Sequence, residues 1–409
     1  MIYVIVNALL YIFLLLFYMF SREKNILGVI LIALYTIVAI FAIPRYYLSI
    51  ELLHDVDDIT LEPFIYLFIV FIMFVRYFVK VDIRNLTNIY AKGRWKKMYF
   101  LIYVYILSTV VVFYLSINDV ISNIYSGEWG DIKKASSELD VAFNYHFFLE
   151  QILVVFNSQS TIFMSVICFF MLTNNKSKSL LYILLFCMFF SISLLSLKGG
   201  GRGVFVIFFI SIITPYLLFK KNLPYKTIKL INKILFSSIF IATVYFFTVT
   251  VSRFGDFDTS YNIYETYNGL TSLLSYMGQS FLFWNVGVYP ISEYGYGIYG
   301  CEFLYGNDAF MNFTLGTRWI TKFYTFVGSI YVDVGPYITF FIALIVFVYS
   351  FILLNIKRYN IEDVCFFTYV YVKLFIGVFS WADNYVIDYI ICFIIYLFLK
   401  IKISICVKK

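Results

Sequence analysis

The seven residues from Leu197 to Gly203, Leu-Lys-Gly-Gly-Gly-Arg-Gly, combine two cations with four glycines. Glycine allows a tight turn and lets a ligand approach the backbone closely. An arginine fork pairs with phosphate oxygens, and a helix predicted to begin near Gly203 directs its free amide groups toward the same place. The candidate ligands of a phosphate here are Lys198, Gly200, Gly201, Arg202 and Gly203. A glycine turn with two cations at a membrane interface explains the same residues equally well.

Three more cations frame a long polar segment, Arg253–Asp333. Arg253 directly follows a predicted helix, and Lys322 comes four residues after Arg318 near the other end of the segment. Both ends of this segment must return to the membrane surface, so we expect these cations at a depth similar to that of the glycine turn. Several cations near one outer membrane site suit a lipid diphosphate. Anchoring at the interface accounts for each of them taken alone.

The same segment is rich in aromatic residues with interleaved glycines. Aromatic rings stack on the C–H faces of sugars, and an aromatic belt at the membrane interface explains part of the set. The candidate sugar contacts are Tyr264, Tyr267, Trp284, Tyr296 and Trp319. Two acids, Glu265 and Asp256, are candidate general bases for a sugar hydroxyl.

The chain has few of the residues that usually bind metals or cofactors. It has two His and six Cys and no Cys-x-x-Cys pair. His54-Asp55-Val56-Asp57-Asp58 could hold a divalent cation, but an exposed acidic loop is the simpler explanation. We therefore expect no metal centre, no cofactor and no disulfide framework.

The elements that must position these residues are membrane helices. Of 409 residues, 62% are hydrophobic and 13% are charged, whereas soluble domains are about half apolar and about a quarter charged. This composition excludes a soluble enzyme. The net charge of +7 comes mainly from loops predicted to lie on one side of the membrane. It therefore reflects membrane topology, and no nucleic-acid partner is expected.

Eleven stretches are long and apolar enough to be read as spanning helices. They are Ile2–Phe20, Asn25–Ile43, Pro63–Val79, Met98–Ile117, Phe148–Leu172, Leu180–Leu197, Gly203–Phe219, Ile234–Ser252, Val334–Asn355, Val364–Ser380 and Tyr385–Leu399. The first lacks a basic start and a small-residue cleavage site, so we interpret it as a retained helix rather than a signal peptide.

Positive charge orients this bundle. Alternate loops together carry 21 of the 31 Lys and Arg residues, and the intervening outer segments carry eight. The basic side is predicted to be cytoplasmic, which places the N-terminus outside and the C-terminus inside.

The outer side also holds most of the polar mass, in segments 44–62, 118–147 and 253–333. We predict helices 1–8 in residues 1–252, a large cap loop in 253–333, and helices 9–11 with a basic tail in 334–409. Within the cap, Ser260–Phe283 has apolar residues at three- and four-residue spacing, which is typical of an amphipathic helix on the bundle or membrane surface.

Two segments resemble a known family. The Lys198–Gly203 turn is similar to the outer-face Gly/Ser-Arg-Gly turn of Wzy-type oligosaccharide repeat unit polymerases. The block Thr325–Gly335, Thr-Phe-Val-Gly-Ser-Ile-Tyr-Val-Asp-Val-Gly, resembles the segment that follows the large periplasmic loop in that family. The resemblance covers most of the chain by topology and about 20 residues by motif.

The resemblance implies an all-α polytopic fold of the GT-C type in the bacterial inner membrane. It implies a glycosyltransferase that makes O-antigen or capsule from undecaprenyl-diphosphate-linked oligosaccharides. The growing glycan is transferred to the non-reducing end of an incoming unit, without metal. Diphosphate recognition by periplasmic arginines maps onto Arg202, Arg253 and Arg318. Membrane lipid, a chain-length regulator and a flippase are the implied partners.

Three alternatives remain. An O-antigen ligase transfers glycan to lipid A core, but ligases of that type use a His in the large loop, and segment 253–333 contains none. A lipid-linked oligosaccharide flippase should have several cations within its spans and internal symmetry, whereas only Lys373 lies deep in a predicted span here. A polysaccharide acyltransferase usually has an intramembrane His, which the predicted spans of this chain lack.

Overall fold

Eleven α-helices make up most of the described chain. The computed structural model describes residues 1–21, 25–49, 59–81, 94–126, 148–174, 176–199, 203–254, 277–297, 325–356, 359–378 and 385–401. The helices are α1 (Ile2–Phe20), α2 (Ile26–Ser49), α3 (Glu62–Lys80), α4 (Trp95–Ser126), α5 (Phe148–Thr173), α6 (Lys178–Gly199), α7 (Gly203–Phe219), α8 (Tyr225–Phe254), α9 (Gly328–Ile356), α10 (Ile361–Ile376) and α11 (Tyr385–Lys400).

Eight of these helices, α1–α7 and α9, are long and apolar enough to cross a membrane. This confirms the predicted class, a polytopic helical membrane protein. Each of the eleven predicted stretches coincides largely with one helix, and the bounds of α1 and α7 are the predicted ones. That α8, α10 and α11 also span the membrane stays a prediction.

Contacts divide the chain into two compact units. Unit 1 comprises Met1–Asp82, Thr259–Arg358 and Lys373–Tyr389. The remainder, from Ile83–Asp258, Tyr359–Val372 and Ile390–Lys409, forms unit 2. The predicted division at residues 252 and 333 separates membrane helices from the cap loop, and it stays a prediction. The two compact units join distant parts of the chain, because each helix packs where its apolar face finds a partner.

Unit 1 is built on α1, α2, α3 and α9, in which α1 packs on α2, α2 on α3, and α3 on α9. Its core is aromatic. The fully buried Tyr11 ring lies 5.1 Å from the Phe68 ring and 5.5 Å from the Phe71 ring, measured between centroids. Such offset and edge contacts are the preferred geometry of aromatic pairs, so Phe and Tyr side chains fill this core closely.

Unit 2 contains α4–α8 and is held together partly by hydroxyl groups. The Tyr105 hydroxyl on α4 lies 2.9 Å from the Thr161 hydroxyl on α5. Ser165 of α5 donates to the carbonyl oxygen of Ser211 on α7 at 2.6 Å. Polar contacts of this kind join helices where water is absent and hydrophobic burial alone does not distinguish protein from lipid.

The inserted segment, which we define as residues 277–297, belongs to unit 1. Residues 277–283 are helical and continue into a π-helical turn, Trp284–Val288. A side chain at Gly278 would collide with the Phe41 carbonyl of α2, so only glycine permits this approach. Phe281, Leu282 and Phe283 are all buried. The described end of the predicted amphipathic helix is therefore packed inside the unit and not laid on a surface; residues 260–276 lie outside the described part.

Candidate functional site

The glycine turn lies between α6 and α7, as predicted. Helix α6 ends at Gly199 and α7 begins at Gly203. The amide groups of the first turn of α7 have no partner within that helix, which is the feature that favours anions at such positions. Gly200, Gly201 and Arg202 lie outside the described residues, so their part in an anion site stays a prediction.

Lys198 forms an ion pair that the sequence did not indicate. Its Nζ lies 2.9 Å from Oδ2 of Asp119, a residue in the last turns of α4. The Lys198 side chain is 7% exposed and the Asp119 side chain 29% exposed. The charge of Lys198 is thus compensated within the protein, which weakens its predicted role as a phosphate ligand.

Asn123, one turn beyond Asp119, caps the end of α6. Its side-chain amide donates to the carbonyl oxygens of Leu197 at 3.2 Å and of Lys198 at 3.0 Å. The last carbonyl groups of a helix lack partners within it, and a donor from elsewhere must supply them. Asp119 and Asn123 share one helix face because they are four residues apart, a spacing that could have been noticed in the sequence.

The inserted segment builds an aromatic cluster in unit 1, on the side predicted to be outer. We call it the outer aromatic cluster; its members are Tyr66, Trp284, Tyr289, Tyr294 and Tyr331. The Trp284 ring lies 5.0 Å from that of Tyr331, and the rings of Tyr289 and Tyr331 stack at 5.6 Å. Tyr331 donates its hydroxyl to the Tyr289 carbonyl at 2.9 Å. Residues from α3, α9 and the loop between α8 and α9 are thereby fixed together.

A break in α9 receives the inserted segment. Gly335 adopts φ 75° and ψ −179°, a conformation essentially confined to glycine. Pro336 has no N–H, so the Val332 carbonyl loses its usual helical donor. The amides of Gly295 and Tyr296 donate instead to the carbonyls of Val332 and Asp333, each at 2.9 Å.

A carboxylate stands beside the outer aromatic cluster. Tyr289 donates its hydroxyl to Oε1 of the exposed Glu62 at 2.8 Å. The pKa of Tyr289 is raised to about 12, mainly by burial and next by the hydrogen bond to Glu62. This hydroxyl therefore stays protonated at neutral pH. Glu62 was not among the predicted site residues; it is the last residue of the predicted outer segment 44–62, and its four-residue spacing from Tyr66 puts both on one face of α3.

Two of the predicted sugar contacts fall among the described residues. Trp284 is completely buried and donates its indole N–H to the Pro63 carbonyl at 2.8 Å. Its ring is enclosed by protein, so its observed role is packing. Tyr296 is 81% exposed and has φ 49°, an uncommon conformation for a residue with a side chain. Its backbone bond to Asp333 holds it there, and its ring is free to meet a ligand or the membrane interface.

The other predicted site residues are not brought together by the described part of the structure. Arg253 lies in the last turn of α8, Tyr225–Phe254, and its side chain is not described. Outside the described residues are Asp256, Tyr264, Glu265, Tyr267, Arg318, Trp319 and Lys322. Across the described ranges, no group of three or more His, Cys, Asp or Glu side chains could hold a metal ion.

Comparisons with known protein families, with curated proteins and with solved structures found no match.

Proposed function

We propose that this protein polymerises undecaprenyl-diphosphate-linked oligosaccharide repeat units at the outer face of a bacterial inner membrane. The observation that carries the proposal is the sequence Gly199–Gly203 with its arginine, which falls between α6 and α7, two helices long and apolar enough to cross a membrane. The exposed ring of Tyr296 and the exposed carboxylate of Glu62, both in unit 1, are suited to contact sugars. The proposal includes a GT-C-like bundle of eleven spans, with the N-terminus periplasmic and the C-terminus cytoplasmic.

The reaction is a glycosyl transfer between two lipid-linked glycans. A hydroxyl at the non-reducing end of the incoming unit attacks the anomeric carbon of the growing chain. The new glycosidic bond forms as the bond to the diphosphate breaks, and the diphosphate leaves with the electron pair. The hydroxyl proton passes to a base, for which Glu265 and Asp256 are the candidates. Fixed positive charge from Arg202, Arg253 and Arg318 stabilises the leaving group.

The decisive variant is Arg202→Ala. We expect long-chain glycan to fall by two orders of magnitude or more, the scale seen when one preorganised donor to a developing charge is removed. Single repeat units should still reach the cell surface, because their export does not require polymerisation. Glycan from cells that carry each variant is separated by length on a gel. Arg84→Ala, in a loop predicted to be cytoplasmic, is the matched control and should leave the ladder unchanged.

Two results would point elsewhere. If lipid-linked units accumulated inside the cell and no glycan appeared on the surface, a flippase would be the better explanation. If long polymer accumulated on the lipid carrier and none reached lipid A core, the ligase would be favoured.

A further inference from the structure

The C-terminal end of α4 contacts the C-terminal end of α6 through three polar contacts, all within unit 2. Lys198 pairs with Asp119 at 2.9 Å, and Asn123 donates to the carbonyls of Leu197 and Lys198 on α6. Helix α4 thus supplies a carboxylate to the side chain of Lys198 and a hydrogen-bond donor to its backbone carbonyl. Two such contacts from one face hold the end of α6 in position and direction.

The position of these contacts matters because a glycine-rich stretch comes directly after Lys198. Four of the next five residues, 199–203, are glycines, which fix a backbone conformation poorly. The orientation of such a turn depends on how firmly its two ends are held. Helix α7 provides one end at Gly203, and the contacts from α4 hold the other end at Lys198.

The charge balance argues against Lys198 as a ligand of the diphosphate. A lysine in contact with a carboxylate presents little net positive charge to a third group. With 7% of its side chain exposed, Lys198 would also have to give up its contact with the half-buried carboxylate of Asp119. Removing one partner of a desolvated ion pair is costly, since the remaining charge loses that compensation.

We propose that Asp119, Asn123 and Lys198 form a clamp that positions the glycine turn for glycosyl transfer, and that Lys198 does not contact the diphosphate. The inference rests on the proposed function and adds three positioning residues to it. Positioning affects the rate because a misplacement of about 1 Å can cost about a hundredfold.

The experiment compares Asp119→Asn, Lys198→Met, Asn123→Ala and the charge-swapped double variant Asp119→Lys/Lys198→Asp in the full-length protein. In detergent, each single variant is expected to lower Tm by about 3 °C or more, and the swapped pair should recover most of that loss. Ile124→Ala changes an exposed residue beside Asn123 on α4 and serves as the control, with Tm unchanged.

The same proteins are then assayed with an undecaprenyl-diphosphate-linked oligosaccharide. We expect the single variants to lower kcat by about tenfold to a hundredfold with KM within twofold of the unchanged protein. The swapped pair should regain at least a third of the lost rate. A ligand role for Lys198 predicts the opposite: a raised KM, a nearly constant kcat and no recovery on swapping.

Three results have distinct meanings. No recovery of Tm in the swapped pair overturns the clamp. Recovery of Tm together with a raised KM for Lys198→Met overturns the claim that Lys198 does not bind substrate. If the unchanged protein forms no polymer, the proposed function fails, and the recovery of Tm alone decides whether the clamp exists.

Discussion

At the scale of single residues, the contact between Tyr289 and Glu62 joins the inserted segment to α3. The phenol donates to an exposed carboxylate at 2.8 Å while its ring packs on Tyr331. Hydrogen bonds to charged groups contribute more than neutral ones, about 1.5–3 kcal/mol when well shielded. This bond is partly open to solvent, so we expect a contribution near 1 kcal/mol.

Tyr289→Phe tests that contribution. The variant keeps the ring and loses the donor, and should lower the free energy of unfolding by about 1 kcal/mol at pH 7–9. The folded-state pKa of Tyr289, about 12, lies above the unfolded value of about 10. The unfolded chain therefore releases this proton first, and the advantage of the unchanged protein should shrink as pH rises from about 10 toward 12.

The measurement is a denaturant titration of both proteins at several pH values. Tyr296→Phe, which removes an exposed hydroxyl, is the control and should unfold at the same denaturant concentration as the unchanged protein at pH 7. A stability difference that grew between pH 9 and pH 11 would contradict the assigned pKa direction.

Residue types indicated candidate chemistry, but they did not indicate which side chains pair. Lys198 was recognised from its neighbours in the turn, but its partner Asp119 lies 79 positions earlier and no local pattern connects the two. Tyr289 and Glu62 are 227 positions apart. Contacts of this kind depend on which helices become neighbours, and a single apolar span carries little information about its neighbours.

At the scale of elements, the break in α9 is the most consequential feature. Three carbonyl groups near it accept from outside the helix: Val332 and Asp333 from the inserted segment, and Pro336 from the Tyr66 hydroxyl at 2.7 Å. Inside a membrane protein, freed backbone groups must find such partners. The break is thereby stabilised by Tyr66 of the outer aromatic cluster and by Gly295 and Tyr296, which directly follow the cluster member Tyr294.

Gly335→Ala should destabilise the protein by about 1–3 kcal/mol, the usual cost of forcing a side chain into a glycine-only conformation. The new Cβ would also lie 3.0 Å from Cζ of Tyr294. Thermal unfolding in detergent provides the measurement. Val334→Ala, at the neighbouring half-buried position, is the control and should cost less; equal losses in the two variants would argue against a special conformation at Gly335.

Helix positions were predictable because a spanning helix needs an apolar run of about 20 residues, and such runs are visible without any alignment. The inserted segment was harder to predict. Its three- and four-residue periodicity correctly indicates a helix for residues 277–283. The contact at Gly278, which buries that helix against α2, requires knowing that the backbone of α2 lies there.

At the scale of the whole molecule, the number of crossings determines where the termini lie. Eight helices have the length and hydropathy to span, and eleven are predicted from the sequence. An odd total places the two termini on opposite sides of the membrane, whereas an even total places them on the same side. The charge distribution favours the odd total.

Reporter fusions distinguish these totals. Alkaline phosphatase joined after Gly300, in the predicted outer loop, should be active, and the same enzyme joined after Lys409 should be inactive. Green fluorescent protein after Lys409 should fluoresce, because that terminus is predicted to be cytoplasmic. Active phosphatase at both positions would reject the eleven-span topology.

The two backbone hydrogen bonds between the inserted segment and α9 also affect how the chain tolerates insertions and deletions. They fix Gly295 and Tyr296 beside Val332 and Asp333, and Thr325 lies only about two helical turns before that point. The stretch between residues 297 and 325 therefore starts and finishes in one neighbourhood. Doubling the length of a closed loop costs only about 0.6 kcal/mol. A change in the length of this stretch should therefore cost the fold little stability, because the residues on either side of it stay anchored in unit 1.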